Sequence, residues 1–490
     1  MLQDLPSDVA SQHPQGQDNR MSRMHDDLIV EAAAVITVDP EWRVFAPGYI
    51  AVKNGRISGL GPTAALSADQ TSGLVAKSAA QPAVSLNASP AAETAARRTT
   101  RRVQAPRAFI MPGLVNTHTH ISMAAFRGAC EDIPNRLTKV IFPLERDLVT
   151  RELTYWSALY CLVEMARSGT TTFADMYYFE DEVAKATDKS GLRAILGETV
   201  LGHAAPDAPE GYGGIDYARR FIAEWQGHPR ITPCFAPHAP YTVDAQHLEQ
   251  IAREAETLDV DVMMHVAEMD FEHEKFSKQG GSVLRYLDSI PGLLSPRLLA
   301  AHMLYLDEAD IDLAARRGLR VAHCPASNAK SGRLICPASR LQAAGVSLGL
   351  ATDGPLSGNG MDMQGVLNLF PKMQKVREGR WDIVTAREAV RAATLGGAEA
   401  LKLSDEIGSL EIGKKADFIL VDLDDFNIQP VYDWYSTIVY AMRPHNVASV
   451  FVDGRPVVKD RRMTGFDQNE VFERMLRISG ECSSYIAQLS

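Results

Sequence analysis

The sequence has no apolar run long enough to span a bilayer, which argues against helical membrane crossings. It also has no Cys-X-X-Cys pair. The six cysteines, Cys130, Cys161, Cys234, Cys324, Cys336 and Cys482, are scattered. That spacing suits free thiols in a reducing cytoplasm better than a disulfide framework, and it argues against a cysteine-based zinc site. Basic charge is in short supply. Lys and Arg number 50 against 61 Asp and Glu, for a formal net charge of -11. A nucleic-acid or anionic-membrane binder is expected to show a basic face, so neither partner is expected. The first 25 residues lack the apolar core of a signal peptide, so residues 1–26 are read as a disordered tail and the protein as cytoplasmic.

Composition is otherwise that of a globular protein, 46% hydrophobic and 23% charged over 490 residues. From Asp27 to Gly61 the pattern is strand-like, with a hairpin signal at Lys53-Asn54-Gly55-Arg56. Residues 62–105 turn rich in Ala, Ser and Thr, bury little apolar surface, and are expected to be a flexible insertion. From residue 107 to 403, short apolar runs alternate with helical patterns. Strands are expected at 108–116, 170–175, 192–197, 231–237, 259–266, 298–302, 319–323 and 346–352, with helices such as 150–167 and 244–257 between them. Eight strands, each followed by a helix, predict an α/β fold with a (β/α)₈ TIM-like barrel. An open nucleotide-binding sheet would need a Gly-X-Gly-X-X-Gly after the first strand, and none is there. Strand signals return over 404–466. These strands are expected to pair with those of 27–106 in a small composite β-sandwich built from both chain ends, followed by a helix over 467–490.

The chemistry concentrates at strand ends. Val115-Asn116-Thr117-His118-Thr119-His120 closes the first apolar run, and side chains at i and i+2 of a strand share a face. In a barrel, active residues come from the C-terminal ends of the strands. Those ends carry His118, His120, His238, His265 with Glu268, His302, His323 and Asp353, which takes in six of the thirteen histidines. Neutral imidazole suits zinc or iron, and three histidines with one carboxylate leave a position open for water. Asp353 follows a wholly apolar strand, where an unpaired carboxylate is costly and a metal is its best partner. Glu268 sits three residues past His265, where a base beside the metal belongs. A metal lowers the pKa of bound water, and a carboxylate that takes and returns a proton completes the needs of C–N bond hydrolysis.

The stretches "MPGLVNTHTH", "GTTTFADMYYFEDEVAKA", "APHAPYT", "HVAE", "AAHM", "HCPASNAK", "LATDG" and "GSLEIGKKADFILVD" together resemble the amidohydrolase superfamily over about residues 27–460. Within it the chain is similar to the mononuclear cytosine/adenosine-type deaminases. The likeness is strongest to methylthioadenosine/S-adenosylhomocysteine deaminases and their s-triazine-hydrolysing relatives. The resemblance implies one divalent metal per chain, zinc or iron, held by His118, His120, His265 and Asp353. Glu268 and His302 would move protons, Asp353 would take one from the attacking water, and His238 would contact the substrate. The fourth strand end, "ITPCFAPHAPYT", lacks the lysine of binuclear members, which favours one metal. The implied reaction is hydrolytic release of ammonia from an amino-substituted N-heterocycle. Dechlorination or dealkylamination of a triazine-like ring at the same site is the alternative. The partners expected are a small heterocyclic substrate, water and further copies of the chain in a homo-oligomer.

Two positions depart from the adenosylhomocysteine-deaminase pattern. "EDIPNRLTKVIFPLE" lacks a tryptophan before its "PLE", and Gly197-Glu198 stands where a Ser-Arg is expected. Glu198 is therefore expected to contact the substrate, accepting N–H groups of a neutral ring and repelling a carboxylate. The other reading turns Glu198 away to pair with Arg193.

Overall fold

The computed structural model describes residues 27–66, 74–77 and 100–489. The expectation of a disordered tail over 1–26 lies outside these residues, as does most of the 62–105 insertion. At its centre eight parallel strands follow one another in sequence order: Leu114–Thr119, Thr170–Tyr177, Arg193–Val200, Ile231–Pro237, Val262–Val266, Leu298–His302, Arg320–His323 and Ser347–Leu350. The first and last meet through polar bonds. Thr117 Oγ1 donates to Leu350 O (3.0 Å), Asn116 Nδ2 to Thr352 Oγ1 (2.7 Å), and Asp353 N to His118 O (3.1 Å). The result is a (β/α)₈ barrel. Small and apolar side chains fill its interior, among them Val115, Ile195, Met263, Ala301, Ala322 and Ala351. Helices such as Arg151–Arg167 and Ala245–Leu258 pack outside, the first capped by Thr150 Oγ1 and the second by the Asp244 carboxylate.

A second sheet draws on both ends of the chain. Its order runs Arg462–Met463, Arg455–Lys459, Val447–Val452, Phe418–Asp422, Arg101–Pro112, Leu28–Ile36, Gly48–Lys53, Arg56–Pro62. Arg101–Pro112 is the join. It lies parallel to Leu28–Ile36 and antiparallel to Phe418–Asp422. The Asn54-Gly55 turn takes left-handed φ values of 51° and 77°, as the hairpin signal requires. The sheet is tied to the barrel by Arg193, whose guanidinium reaches Asp417 (3.1 Å) and Asp453 (2.8 Å).

Two expectations differ from what is observed. The run 108–116 is not one barrel strand: residues 108–112 end the joining strand of the second sheet, and the barrel begins at Leu114. Both halves are buried, so hydrophobicity alone does not mark the change of sheet. Gly113 makes it sterically possible, because a Cβ there would stand 2.1 Å from Thr171 Oγ1. The end of the 62–105 segment is also structured. Residues 101–105 pair with Leu28–Ala32, Arg102 forms an ion pair with Glu31, and Leu74–Lys77 lies parallel along the same strand. The final helix spans Gln468–Leu489. All six cysteines are buried, and among the described residues no helix is long and apolar enough to cross a membrane.

Candidate metal centre and active site

The strand ends carry their side chains into one cavity of about 620 Å³, lined by His120, Glu145, His238, Glu268, Arg333 and Asp353 among others. The imidazoles of His118, His120 and His265 stand with ring centroids 4.7–5.2 Å apart. His120 Nδ1 faces Met176 O at 2.6 Å, and His265 Nδ1 faces His238 O at 2.9 Å. A carbonyl only accepts, so both Nδ1 atoms carry a proton, and in the neutral ring each Nε2 is then a bare lone pair. Those two Nε2 atoms lie 3.2 Å apart. Two lone pairs cannot bond each other. Two nitrogens on one tetrahedral zinc at ~2.0–2.1 Å would stand about 3.3 Å apart. Asp353 Oδ1 completes the cluster, 3.4 Å from His120 Nε2 and 3.8 Å from His118 Nε2.

His118 Nε2 supplies a further test. It is buried and has no hydrogen-bond partner, an arrangement that costs free energy unless something electron-poor meets it. Burial, then the neighbouring His120, His302 and His238, holds its pKa well below the ordinary imidazole value. His265 is depressed in the same way, by burial and by His238. Neutral imidazoles converging beside a carboxylate are the donor set of a divalent metal. Backbone strain is stored at the same points. Ala267, His302 and Asp353 all take left-handed φ values (52°, 75° and 62°), each at or just past the end of a strand that feeds the site.

Around this cluster lies a shell of hydrogen-bonded polar side chains. Glu268 Oε1 is 3.7 Å from His302 Nε2 and accepts a short bond from Arg333. Burial works to raise its pKa, but His302, Arg333 and His238 outweigh it, and the carboxyl sits below its usual range. The turn bearing Glu268 is held from behind. The Glu272 carboxyl accepts from Ala267 N (3.1 Å), Glu268 N (2.8 Å) and Met269 N (3.2 Å). Asn328 Nδ2 donates to His302 Nδ1 (3.0 Å), which leaves the proton on Nε2, the nitrogen nearer Glu268. Ser327 Oγ donates to Asp353 Oδ2 (2.6 Å) and Gly354 N to Oδ1 (2.7 Å). His238 lines the cavity with Nδ1 on Thr242 Oγ1 (3.0 Å), and burial, then His120, pushes its pKa down to about 4.

Glu198 does not line the cavity, which corrects the expectation of a substrate contact there. Its neighbours Gly197 and Thr199 face inward: a Cβ on Gly197 would stand 2.7 Å from Met263, and Thr199 lines the cavity. Strand alternation therefore sends Glu198 the other way, under the helix Glu180–Ser190, where its carboxyl accepts from Glu180 N at 3.0 Å. Burial, then Asp207, raises its pKa well above the carboxylate range. Nor does it pair with Arg193, which is taken by Asp417 and Asp453. His323 is excluded from the cavity by the same rule. Ala322 packs inside the barrel, so His323 points outward against Phe370 (ring centroids 5.5 Å).

The residues that strand-end reading passed over are Glu145, Glu272, Ser327, Asn328 and Arg333. Ser327 and Asn328 lie within "HCPASNAK" and Glu145 closes "PLE", so those motifs held a signal. Glu145 is buried in the cavity wall, accepts from Tyr178 Oη (3.2 Å), and is pushed up to about 7 by burial. Arg333 and Glu272 carried no spacing by which to find them.

Known proteins are similar to this chain in sequence and fold. The amidohydrolase family matches residues 109–457. A 5-methylthioadenosine/S-adenosylhomocysteine deaminase of Syntrophobacter fumaroxidans is 35% identical over 94% of this chain and 99% of its own. A namesake from Syntrophus aciditrophicus is 37% identical over 77% of this chain and 86% of its own. Among solved structures, a zinc-bound adenosine deaminase from Xanthomonas campestris superposes with a TM-score of 0.84. It is 33% identical over 94% of this chain and 99% of its own. A zinc complex of atrazine chlorohydrolase from Arthrobacter aurescens, 20% identical, shares the fold at a TM-score of 0.80 over 92% of this chain and 100% of its own. The chain belongs to the amidohydrolase family and is a hydrolase acting on carbon–nitrogen bonds.

Proposed function

We propose that this metal-dependent hydrolytic deaminase works with one zinc ion held by His118, His120, His265 and Asp353, and that it acts on an amino-purine, free or as a nucleoside. The observation that carries the metal reading is the convergence of bare imidazole nitrogens, with His118 Nε2 buried and unpartnered. The zinc-bound adenosine deaminase and the methylthioadenosine/S-adenosylhomocysteine deaminases support zinc and the purine class. A cavity of about 620 Å³ is of a size for a nucleoside.

Zinc there would activate water for attack on the amine-bearing ring carbon. The chain's own groups handle the protons. Glu268, ionised at neutral pH, takes a proton that originates on water, passes it to the ring nitrogen next to the reacting carbon, and later delivers one to the departing ammonia. His302 Nε2–H, beside Glu268, and Asp353 orient the attacking water, and Asp353 takes its remaining proton, which passes through Glu268 to the departing amine. His238, neutral because its pKa is depressed, offers the ring Nε2 as a polar contact from the opposite wall. Glu198 takes no part, so the argument that its charge repels S-adenosylhomocysteine lapses.

The test is ammonia release by zinc-loaded protein from a panel of purines, nucleosides, pterins, pyrimidines and triazines, repeated with Glu268→Gln. The substitution should lower kcat about 10²–10⁴-fold, as for loss of a general acid/base, with zinc retained. Near-normal turnover by the variant would remove Glu268 from the mechanism. Chloride release from a chlorotriazine, with no ammonia from the amino rings, would replace the deaminase reading with the dechlorinating one. The homo-oligomer belongs to the same proposal and is checked by sedimentation.

A further inference from the structure

Three permanent cations line the active cavity, and they are not equivalent. Arg136 spends its guanidinium on three backbone carbonyls, Ala129 O, Cys130 O and Leu356 O. Lys330 is engaged by Glu131 (2.7 Å) and Asn359 (2.8 Å). The Arg333 guanidinium has one hydrogen-bond partner among the described residues, Glu268, reached through Nη1. A guanidinium carries five N–H donors in a planar fork. The rest of the fork has no protein acceptor, and the side chain lines the cavity at 24% exposure. It also sits on a short turn, after Gly332 at φ 65°, rather than on a barrel strand.

We infer that Arg333 is a specificity-determining residue whose free donors receive an oxygen of the substrate ring, on the carbon that flanks the ring nitrogen addressed by Glu268. The inference rests on the deaminase reading. Glu268 must meet the ring nitrogen next to the amine-bearing carbon. Arg333 bonds the same carboxylate, so its remaining donors lie beside whatever is attached to the next ring atom along. If that atom bears hydrogen, the fork gains nothing and stays on Glu268. If it bears a carbonyl oxygen, the fork has an acceptor, and its hold on Glu268 is shared as the ring binds. The substrate class this selects is the amino-oxo ring with the order H₂N–C, N, C=O, in place of the plain amino ring H₂N–C, N, C–H. Arg333 acts on the substrate directly and on Glu268 by position.

Pairs in which that carbon bears oxygen in one ring and hydrogen in the other make the test: isoguanine against adenine, and cytosine against 4-aminopyrimidine. Metal-replete protein is assayed for ammonia release from each, then the variants Arg333→Gln and Arg333→Lys, with metal content and circular dichroism checked on all three. In every pair that is turned over, kcat/KM should favour the oxo ring by about tenfold or more, the worth of a hydrogen bond to a charged donor. Arg333→Gln should bring that ratio towards one, mainly through KM. Arg333→Lys should restore part of it, because it keeps the charge and loses the fork. A merely structural role for Arg333 would lower both members of a pair alike and leave the ratio standing. An unchanged ratio in a folded, metal-bound variant would overturn the inference, as would preference for the plain rings, and in both cases the deaminase reading stands. Should Arg333→Gln not fold, an unchanged ratio in Arg333→Lys decides the same way. Absence of ammonia from every ring, including 5'-methylthioadenosine, would overturn the deaminase reading and this inference together.

Discussion

Replacing Glu272 by Gln tests how the proton-handling carboxylate is held in place. Glu272 is buried, and its two oxygens divide three backbone N–H groups between them: Ala267 N on Oε1, Glu268 N and Met269 N on Oε2. A glutamine fills the same volume but presents one oxygen and one NH₂. Turned to keep the two bonds of Glu268 and Met269, it sets an amide donor against the N–H of Ala267, a residue already at a left-handed φ of 52°. An orphaned buried N–H costs about 1–3 kcal/mol. For 490 residues unfolding as a unit, an entropy of ~2.1 cal/mol/K per residue makes that a fall in Tm of about 1–3 °C. The kinetic effect should be larger. The perturbed turn carries Glu268, and a displacement of about 1 Å at a reacting group costs on the order of 10²-fold in rate. Zinc-loaded Glu272→Gln should therefore keep its metal, lose only a few degrees of Tm, and lose about 100-fold in kcat/KM. Differential scanning calorimetry, elemental analysis and an ammonia assay on one preparation provide the three numbers. Activity within threefold of the parent would refute the reasoning, since the Glu268 turn would then hold its place without these bonds.

Two further outcomes follow from the same geometry. His265→Ala removes one bare Nε2 from the cluster, so metal content should drop from one equivalent per chain to near zero and activity with it; a full equivalent in the purified variant would exclude His265 as a ligand. His323 is fully buried with both ring nitrogens unpartnered, and burial, then His302, pushes its pKa down to about 3. The unfolded chain takes that proton near 6.5, the folded chain only near 3. Its stability contribution is therefore intact above pH 6.5 and is withdrawn as pH falls, by about 1.4 kcal/mol per unit. His323→Leu should gain about 2 kcal/mol on the parent between pH 7 and pH 5 in urea melts, and parallel pH profiles would show that His323 does not carry the acid sensitivity.

The barrel was legible because its signals are local. A parallel strand buried on both faces reads as a short apolar run, and the helix after it shows a 3.6-residue period, so counting the pairs predicts the architecture. The proposed metal ligands were legible because barrel chemistry gathers at strand ends, which turns a position in the pattern into a position in space. The failures share a cause as well. The switch from second sheet to barrel at Gly113 falls inside one unbroken apolar run. Glu198 and His323 sit at strand ends, as the cavity-lining residues do, and only the phase of the strand separates them. His302 follows the interior-facing Ala301 just as His323 follows Ala322, yet its backbone leaves the alternation at φ 75° and its ring enters the cavity.

What the sequence determined by itself is thus the inventory: eight strand–helix units, three histidines and an aspartate fit to hold a metal, and a glutamate placed to move protons. Tertiary structure decided which of the remaining polar residues share the cavity. Arg333 comes to Glu268 from a loop 65 residues away, and Asn328 comes to His302 from a helix 26 residues on. Neither pairing shows as a period in the sequence, because closing a barrel brings together residues whose separation along the chain carries no information about their separation in space.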